Sequence, residues 1–455
     1  MGPFIHKVRY IYWVFLAFIR KNLQLLIISF LCSLLAVISI ISFTPYIIDL
    51  LTSKKDVIGI VGKYTIDDLP EEVISKFSNS LLHITDNGEL IPLLADSWEP
   101  LNGGNEYIFH IKKDLVWNDG KPFTAQGINY TFKDVKVVAD NEYLLRFNLK
   151  KPLAIFPNFL TKPIVKYPLI GVAGAYKVGQ VRSKAGHVTS IQLTPNQDGL
   201  PILIYKFYDT DTKLVQAYKL GEITQMSTTR SSIAEVFSSW KNTEIVKGND
   251  YSRVVALFFN FDDSLLGGDK DIRHAIAESI DKSAFADSGT DAFSPISPQS
   301  WAHNPRIKRY TFNPSVSSQI LKNVTEASES AKLTITTYYD HIAIADDIKT
   351  NLQDIGLDVN VEVISGALPD TFQLFLAEMS LSKDPDQYFF WHSTQSTGNI
   401  TSYNNVRIDK LLEDGRNTYT IESRKEIYND FQKVLVDDMP AFFLYYPHRY
   451  TIIRK

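Results

Sequence analysis

The chain has 455 residues, of which 45% are apolar and 22% are charged, proportions typical of a folded protein. This length exceeds what one compact core usually covers, so two or three lobes are expected. The formal net charge of −4 argues against a nucleic-acid partner, because such a partner requires a concentrated basic surface. A single cysteine, Cys32, excludes a disulfide framework and a thiolate zinc site.

A charge-free run near the N-terminus predicts a membrane span. Residues 23–48 contain no Asp, Glu, Lys or Arg over 26 positions. At ~1.5 Å per helical residue, this run can cross a hydrocarbon core of ~30 Å. A buried core helix is rarely so long and so free of charge, and a removable signal peptide fits less well because no small-x-small cleavage site is followed by an acceptable residue. We therefore predict an uncleaved transmembrane signal anchor at 23–48.

The basic residues before this run predict its orientation in the lipid bilayer. Lys7, Arg9, Arg20 and Lys21 precede it, and such residues are retained in the cytoplasm. Residues 1–22 are then cytoplasmic or interfacial, with the short apolar stretch 10–19 either lying along the interface or extending the first helix. The predicted location is the cell membrane, with a single pass and the C-terminal domain outside, in the periplasm or at the cell surface.

The exported part begins with short strands. Residues 56–62 read as a buried strand, and residues 90–119 hold antiparallel pieces that end in the turn 118–122. A hairpin-like pair follows at 135–138 and 143–149.

Further along, residues 332–364 predict a strand, a helix and a parallel strand, with Gly356 placed to end the helix. Amphipathic spacing predicts helices at 272–285 and 421–436. Strands are predicted at 372–376 and 442–446. Together these elements predict an α/β fold.

Signals for catalysis are absent from the sequence. It contains no G-x-S-x-G, H-E-x-x-H, Walker or G-x-G-x-x-G motif, and its nine histidines lack metal-ligand spacing. The acid pair Asp384 and Asp386 is explained by turn chemistry. We therefore expect no enzyme activity, no catalytic residue, no metal site and no cofactor.

Several blocks share one order with a known family. They include LIPLLADSWEPLNGGNEYIFHIKKDLVWNDGKPFTAQGINY at 90–130, with the turn NDGKPFTA at 118–125, and then GAYKV at 174–178, KLGEI at 219–223, FFNFDDSLLGGDKDIRHAIAESIDKSA at 258–284, DPDQYF at 384–389, SYNNVRIDKLLEDGRNT at 402–418 and RKEIYNDFQKVLVDDMPAFFLYYP at 424–447. In this order they resemble the extracellular solute-binding proteins that serve ABC importers of dipeptides, oligopeptides and nickel, family 5 of that class. The resemblance covers nearly all of the exported part.

The resemblance implies a two-lobed periplasmic-binding-protein-like fold, type II of the peptide-binding class, after the transmembrane helix. Lobe one would comprise 56–256 plus 443–455, with a shortened insertion after residue 132, and lobe two would comprise 257–442. Ligand would bind between the lobes, which close upon it. The block at 118–125 would lead from a strand pair into a helix.

One departure from the family concerns the ligand. The dipeptide- and oligopeptide-binding members carry an Asp three residues ahead of D-P-D that pairs with the peptide ammonium, and this chain has Leu381 there. Because a buried ammonium without a counter-charge costs several kcal/mol, we expect the ligand to be uncharged at that end, blocked, or not a peptide.

Four residues are predicted to contact the ligand by stacking and hydrogen bonding: Tyr64, Asp384, Tyr388 and Trp391. Tyr64 follows the first strand, and the other three follow the strand predicted at 372–376. For each aromatic residue, a place in the core or on a lobe surface is the alternative. His392 could bind a metal ion, although a lone histidine is more often a loop residue with satisfied hydrogen bonds.

The sequence therefore predicts a membrane-anchored receptor that captures a small or peptide-like solute and presents it to ABC permease subunits. ATP hydrolysis would belong to partner subunits. One alternative is an extracellular sensor, or a degenerate scaffold, of the same fold without a transporter. Another is an exported hydrolase, whose turnover would be lost with a single acid.

Overall fold

The computed structural model describes residues 2–52, 54–327 and 332–455, which form a mixed α/β structure. The helices are α1 Gly2–Thr52, α2 Glu71–Phe77, α3 Asp211–Leu220, α4 Ser231–Phe237, α5 Lys270–Glu278, α6 Pro314–Ala327, α7 Ile342–Asp354, α8 Tyr388–Trp391, α9 Val406–Asn417 and α10 Ile421–Asp438. The strands are β1 Lys55–Val61, β2 Leu82–Ile84, β3 Leu90–Pro92, β4 Ala95–Leu101, β5 Glu106–Ile111, β6 Val135–Asn141, β7 Leu144–Leu149, β8 Tyr176–Lys184, β9 His187–Pro195, β10 Ile202–Tyr208, β11 Gln225–Thr228, β12 Thr243–Asn249, β13 Arg253–Phe259, β14 Gly289–Asp291, β15 Lys332–Tyr338, β16 Asp358–Ile364, β17 Leu374–Ser380 and β18 Ala441–Arg454.

The N-terminal helix α1 contains a kink at Asn22, where φ is −113° and ψ is 18°. This kink coincides with the predicted boundary between residues 1–22 and the span 23–48. The stretch 10–19 is helical and belongs to the same element. By length and composition, Lys7–Thr44 could cross a membrane, a test that a signal sequence would also pass. The membrane span itself stays a prediction.

Most of the strands join one large sheet of 12 strands. Ten of them follow the order β16-β15-β17-β13-β18-β11-β1-β10-β9-β8, and β12 and β14 also pair with β18. Strands β4-β5-β7-β6 form a separate antiparallel sheet, and β2 pairs with β3. The predicted strands at 56–62, 90–119 and 135–149 are thus present with small shifts of their ends.

The predicted strand-helix-strand unit is confirmed. Strands β15 and β16 pair in parallel, with Leu333 opposite Val359 and Ile335 opposite Val361, and α7 lies between them in the sequence. Gly356 follows the helix with a φ of +93°, a conformation that glycine adopts without steric cost. A helical crossover is what a parallel strand pair requires.

Strand β13 lies inside the sheet and is buried on both faces. Val255 and Leu257 point into one buried apolar cluster, whereas Val254 and Ala256 point into another, as the two-residue period of a strand requires. Strand β17 runs beside β13 and continues to Ser380, further than the predicted strand 372–376. Its last residues therefore lie next to the segment that contains Leu381.

The last strand is much longer than the predicted strand 442–446. Strand β18 pairs with β13 between Ala441 and Tyr445, then with β12 from His448 onward and with β11 from Tyr450 onward. Pro447 has no N–H to donate, but its carbonyl accepts a hydrogen bond from the backbone N–H of Asp250. The strand therefore continues past the proline. The lobe boundaries 256/257 and 442/443 stay a prediction.

Two predicted helices differ from the structure. The helix expected over 272–285 ends at Glu278, because the Ser279 hydroxyl bonds the Ile276 carbonyl and the Asp281 side chain caps a separate 3-10 turn. The helix that the resemblance implied after 118–125 is a single 3-10 turn, Ala125–Gly127. The chain then reaches β6 almost directly after residue 132, consistent with a shortened insertion.

Candidate ligand-binding site

The D-P-D loop after β17 is fixed by a buried ion pair. The two Asp384 oxygens lie 2.9 and 3.0 Å from the Arg424 guanidinium nitrogens, and both residues are buried. Asp384 also accepts a hydrogen bond from the Asn158 side chain at 2.6 Å. Burial alone would lower the pKa of Arg424, but the charge and the hydrogen bonds of Asp384 raise it. Asp384 thus has partners inside the protein, and its predicted contact with ligand stays a prediction.

The second acid of the loop makes a similar pair. Asp386 accepts hydrogen bonds from Arg416, the shortest at 2.7 Å. Arg416 lies in the last turn of α9 and Arg424 in the first turn of α10, so the two ion pairs attach the loop to this pair of helices. Bidentate guanidinium–carboxylate contacts fix orientation as well as distance.

The two predicted aromatic residues of this loop occupy different environments. Tyr388 lies between the Arg416 guanidinium, 3.8 Å from its ring centroid, and the His392 ring, 4.1 Å away. Trp391 is 1% exposed and donates a hydrogen bond from Nε1 to the Gln387 side chain. Asp384 thus lies in the loop before α8, and Tyr388 and Trp391 are the first and last residues of that short helix.

Tyr64 lies in another part of the structure. Its hydroxyl donates to the Val61 carbonyl at 3.2 Å, and its ring packs 5.1 Å from Phe207. Burial and the nearby acids Glu72 and Asp68 raise its pKa. Among the contacts of the described residues, none joins Tyr64 to Asp384, Tyr388 or Trp391.

His392 is held as a loop residue. Its Nδ1 accepts a hydrogen bond from the Thr394 backbone N–H at 3.2 Å, and its side chain is 4% exposed. In the described parts of the chain, no group of three or more His, Cys, Asp or Glu side chains could hold a metal ion.

A polar cavity of about 450 Å³ adjoins the loop, and Leu381 forms part of its wall. Four chain segments line it: the β2–β3 turn, the β12–β13 connection, residues 297–300 and residues 381–383. Seven of its eleven lining residues are uncharged hydrogen-bonding residues: Asn249, Tyr251, Ser252, Ser297, Gln299, Ser300 and Ser382. This volume is typical of a site for a small solute. None of these seven was predicted from the sequence, since they carry no motif.

The charged residues of the polar cavity are paired within the protein. The Lys383 ammonium lies 2.8 Å from Asp86 and lowers the pKa of that carboxyl by hydrogen bonding. Asp250 accepts hydrogen bonds from the backbone and hydroxyl of Ser252 at 3.0 and 2.5 Å. Leu381 is 8% exposed, and its backbone N–H donates to the Ser252 carbonyl at 2.7 Å. The cavity thus offers hydrogen bonds but no unpartnered carboxylate.

A second cavity of about 430 Å³ lies at the end of strand β17, against residues 377–380. Ten of its fourteen lining residues are apolar or aromatic: Phe258, Tyr338, Leu368, Phe375, Ala377, Met379, Phe389, Phe390, Trp391 and Ile400. Trp391 therefore lines a cavity although its own ring is almost fully buried. The end of β17 separates a polar cavity from an apolar one.

Comparisons with known proteins agree with this fold. The oligopeptide-binding protein AppA of Bacillus subtilis is 26% identical over 481 residues, covering 87% of this chain and 86% of AppA. The crystal structure of NikZ from Campylobacter jejuni in complex with Ni(L-His) matches with a TM-score of 0.71 at 22% identity, covering 88% of this chain and 94% of NikZ. The binding protein CtaP from Listeria monocytogenes matches with a TM-score of 0.74 at 19% identity, covering 88% and 94% of the two chains.

These structures confirm the predicted two-lobed α/β fold of the periplasmic-binding-protein type. The family model of the bacterial extracellular solute-binding proteins, family 5, matches residues 89–137 and 128–401, more than half of the chain. Members of this family bind solutes and are not enzymes, as the sequence predicted. The chain therefore belongs to the family 5 bacterial extracellular solute-binding proteins.

Proposed function

We propose that the protein is anchored in the cell membrane by α1, captures a small solute outside the cytoplasm and delivers it to an ABC permease. Solute capture follows from the family. Helix α1 supports the anchor, because Lys7–Thr44 is long and apolar enough to span a bilayer. The basic residues before position 23 favour a cytoplasmic N-terminus, which leaves the binding domain outside.

The polar cavity is the proposed solute site, and the chemistry of the residues that line it is the main support for this proposal. Neutral hydroxyl and amide groups dominate it, and its two carboxylates already have partners in the protein. A free ammonium group that faces Leu381 would meet no carboxylate at that position, and it would have to compete with Lys383 for Asp86 and with Ser252 for Asp250, which weakens its binding. We infer a ligand that is uncharged at the end that faces Leu381.

A peptide-like solute fits this site best. AppA is named for oligopeptides, and a peptide bond matches hydroxyl and amide partners with both its donor and its acceptor. The NikZ complex contains Ni(L-His), but in the described residues of this chain no group of three or more His, Cys, Asp or Glu side chains could hold a metal ion. We propose that the predicted lobes, 56–256 with 443–455 and 257–442, close on a blocked peptide.

Calorimetry on the full chain in lipid nanodiscs tests this proposal. The two probes are Ala-Ala-Ala amide and N-acetyl-Ala-Ala-Ala amide, which differ in the N-terminal charge. We expect the acetylated peptide to bind at least about tenfold more tightly, a difference of about 1.4 kcal/mol. Equal or tighter binding of the free amine would contradict the proposal, and empty nanodiscs provide the blank.

A further inference from the structure

Strand β1 follows the N-terminal helix closely in the sequence. Helix α1 ends at Thr52 and β1 begins at Lys55. An extended chain covers at most ~3.6 Å per residue, so these two residues are no more than about 11 Å apart. The helical stretch from the end of the predicted span, at position 48, to Thr52 adds about 6 Å. When α1 spans the bilayer, the start of β1 therefore lies within about 17 Å of the hydrocarbon core, and the headgroup layer fills about 5–7 Å of that distance.

Two other strands begin, and one strand ends, beside the start of β1. The Val57 N–H donates to the Thr224 hydroxyl at 2.9 Å, and the Thr224 N–H donates to the Val57 carbonyl at 2.7 Å. Strand β11 begins directly after Thr224, whose carbonyl accepts from the Arg454 N–H at the end of β18. Thr243, the first residue of β12, pairs with Arg454. We call this end of the sheet the anchor end; it comprises residues 56–57, 219–224, 241–244 and 454–455.

Helix α3 ends at the anchor end with an exposed apolar side chain. Its last residue, Leu220, is 66% exposed, and Gly221 then turns the chain toward β11 with a φ of +77°. Leu214, on the inner face of the same helix, is buried. Leu220 therefore lies outside the core, and beside a bilayer it can leave water by entering the boundary between headgroups and acyl chains.

The anchor end also carries lysines that have no acidic partner. Lys219, Lys241 and Lys455 are exposed, and in the described parts of the chain none of the three forms an ion pair. Lys54 and Lys55, which are exposed as well, directly precede this end in the sequence. These five charges are therefore available to an external anion.

Basic charge is concentrated in this part of the exported domain. Across the anchor end and the two residues before it, basic residues outnumber acids by six to three: Lys54, Lys55, Lys219, Lys241, Arg454 and Lys455 against Asp56, Glu222 and Glu244. The exported part as a whole has the opposite balance, since residues 56–455 carry 41 Lys or Arg and 50 Asp or Glu. A lipid surface with negative charge would therefore attract the anchor end more than the rest of the domain.

We propose that the anchor end docks on the anionic lipid headgroups of the leaflet that faces the binding domain, with Leu220 inserted below them and the lysines in contact with them. This inference rests on the proposed function, because only an inserted α1 brings β1 to the lipid surface. All four segments of the anchor end belong to the predicted lobe one. The contact would hold lobe one on the membrane, while the predicted lobe two, 257–442, would remain free to close on a solute.

Site-directed fluorescence of the full chain in nanodiscs tests the contact. Cys32→Ser removes the native cysteine, and Leu220→Cys then carries an NBD label, whose emission moves to shorter wavelength in lipid. The nanodiscs contain phosphatidylglycerol and a lipid with a spin-labelled acyl chain, which quenches NBD on contact. We expect the label at position 220 to be shifted and quenched. The matched control is Leu368→Cys, at a leucine of the predicted lobe two that is 52% exposed, and its label should show neither effect.

Removing three lysines tests the role of lipid charge. Each lysine near an anionic surface strengthens binding about fivefold, so the combined change Lys219→Gln, Lys241→Gln and Lys455→Gln should weaken docking by about a hundredfold. Quenching at position 220 should fall accordingly. It should also fall for the unchanged lysines in nanodiscs made of phosphatidylcholine without phosphatidylglycerol.

A second triple variant removes the same charge elsewhere. Lys410→Gln, Lys425→Gln and Lys433→Gln change exposed lysines of α9 and α10 and should leave the quenching intact. Equal losses in the two triple variants would overturn the proposal. Absent quenching at position 220, or quenching that persists in neutral lipid, would also overturn the docking while leaving the membrane anchor in place. Extraction of the full chain from its source membrane by sodium carbonate would instead contradict the anchor itself, and with it the proposed function.

Discussion

Replacing Leu381 with aspartate is expected to give the protein affinity for peptides with a free N-terminal amine. The new carboxylate would line the polar cavity, where the original side chain is 8% exposed, and would pair with the ammonium group. A hydrogen bond to a charged group contributes about 1.5–3 kcal/mol. Calorimetry with Ala-Ala-Ala amide should therefore show binding about ten- to a hundredfold tighter for Leu381→Asp than for the wild type.

The control for this prediction is Leu381→Asn, which has nearly the same shape but no charge. It should not gain affinity for the free amine. The preference between free and acetylated Ala-Ala-Ala amide should reverse only in the aspartate variant. An unchanged preference in Leu381→Asp would show that the ligand's N-terminus does not reach this position.

Arg424→Met is expected to destabilise the protein by about 3–5 kcal/mol, because it leaves the Asp384 carboxylate buried without a cation. Both partners are less than 10% exposed as side chains, and two hydrogen bonds join them. The loss is the difference in the free energy of unfolding between variant and wild type. It is measured by urea unfolding, with the same dependence of that free energy on urea concentration for both proteins.

Two further variants separate this ion pair from a general effect of losing an arginine. Arg416→Met breaks the more exposed pair with Asp386 and should cost only about 1 kcal/mol. Adding Asp384→Asn to Arg424→Met should recover part of the stability, because the buried charge is gone. Equal losses for the two arginine variants, or no recovery in the double variant, would refute the buried ion pair as the anchor of the loop.

The fold was predictable because local pattern and family blocks agree along the chain. The alternating residues after position 357 and Gly356 before them predict the strand and the end of α7, and the structure has both. Strand β18 was underestimated because its second half pairs with β11 and β12, which lie about 200 residues earlier in the sequence. Such long-range pairing leaves little local signal.

The site was predictable only in part, because its walls come from distant segments. Asp86 and Lys383 lie 297 residues apart, and their contact appears only in the folded chain. The D-P-D motif lies beside the proposed site, since Leu381, three residues ahead of it, lines the polar cavity. Motif letters do not distinguish a carboxylate that faces a ligand from one that, like Asp384, pairs with an arginine.

Native mass spectrometry of the full chain, purified from its source membrane in mild detergent, shows directly which solute the protein binds. We expect one noncovalently bound small solute that lacks a free amine. Fragmentation after release identifies its end groups. A co-purified peptide with a free N-terminal amine would contradict this expectation, and so would a protein that binds neither acetylated peptides nor any component of an extract of its source cells.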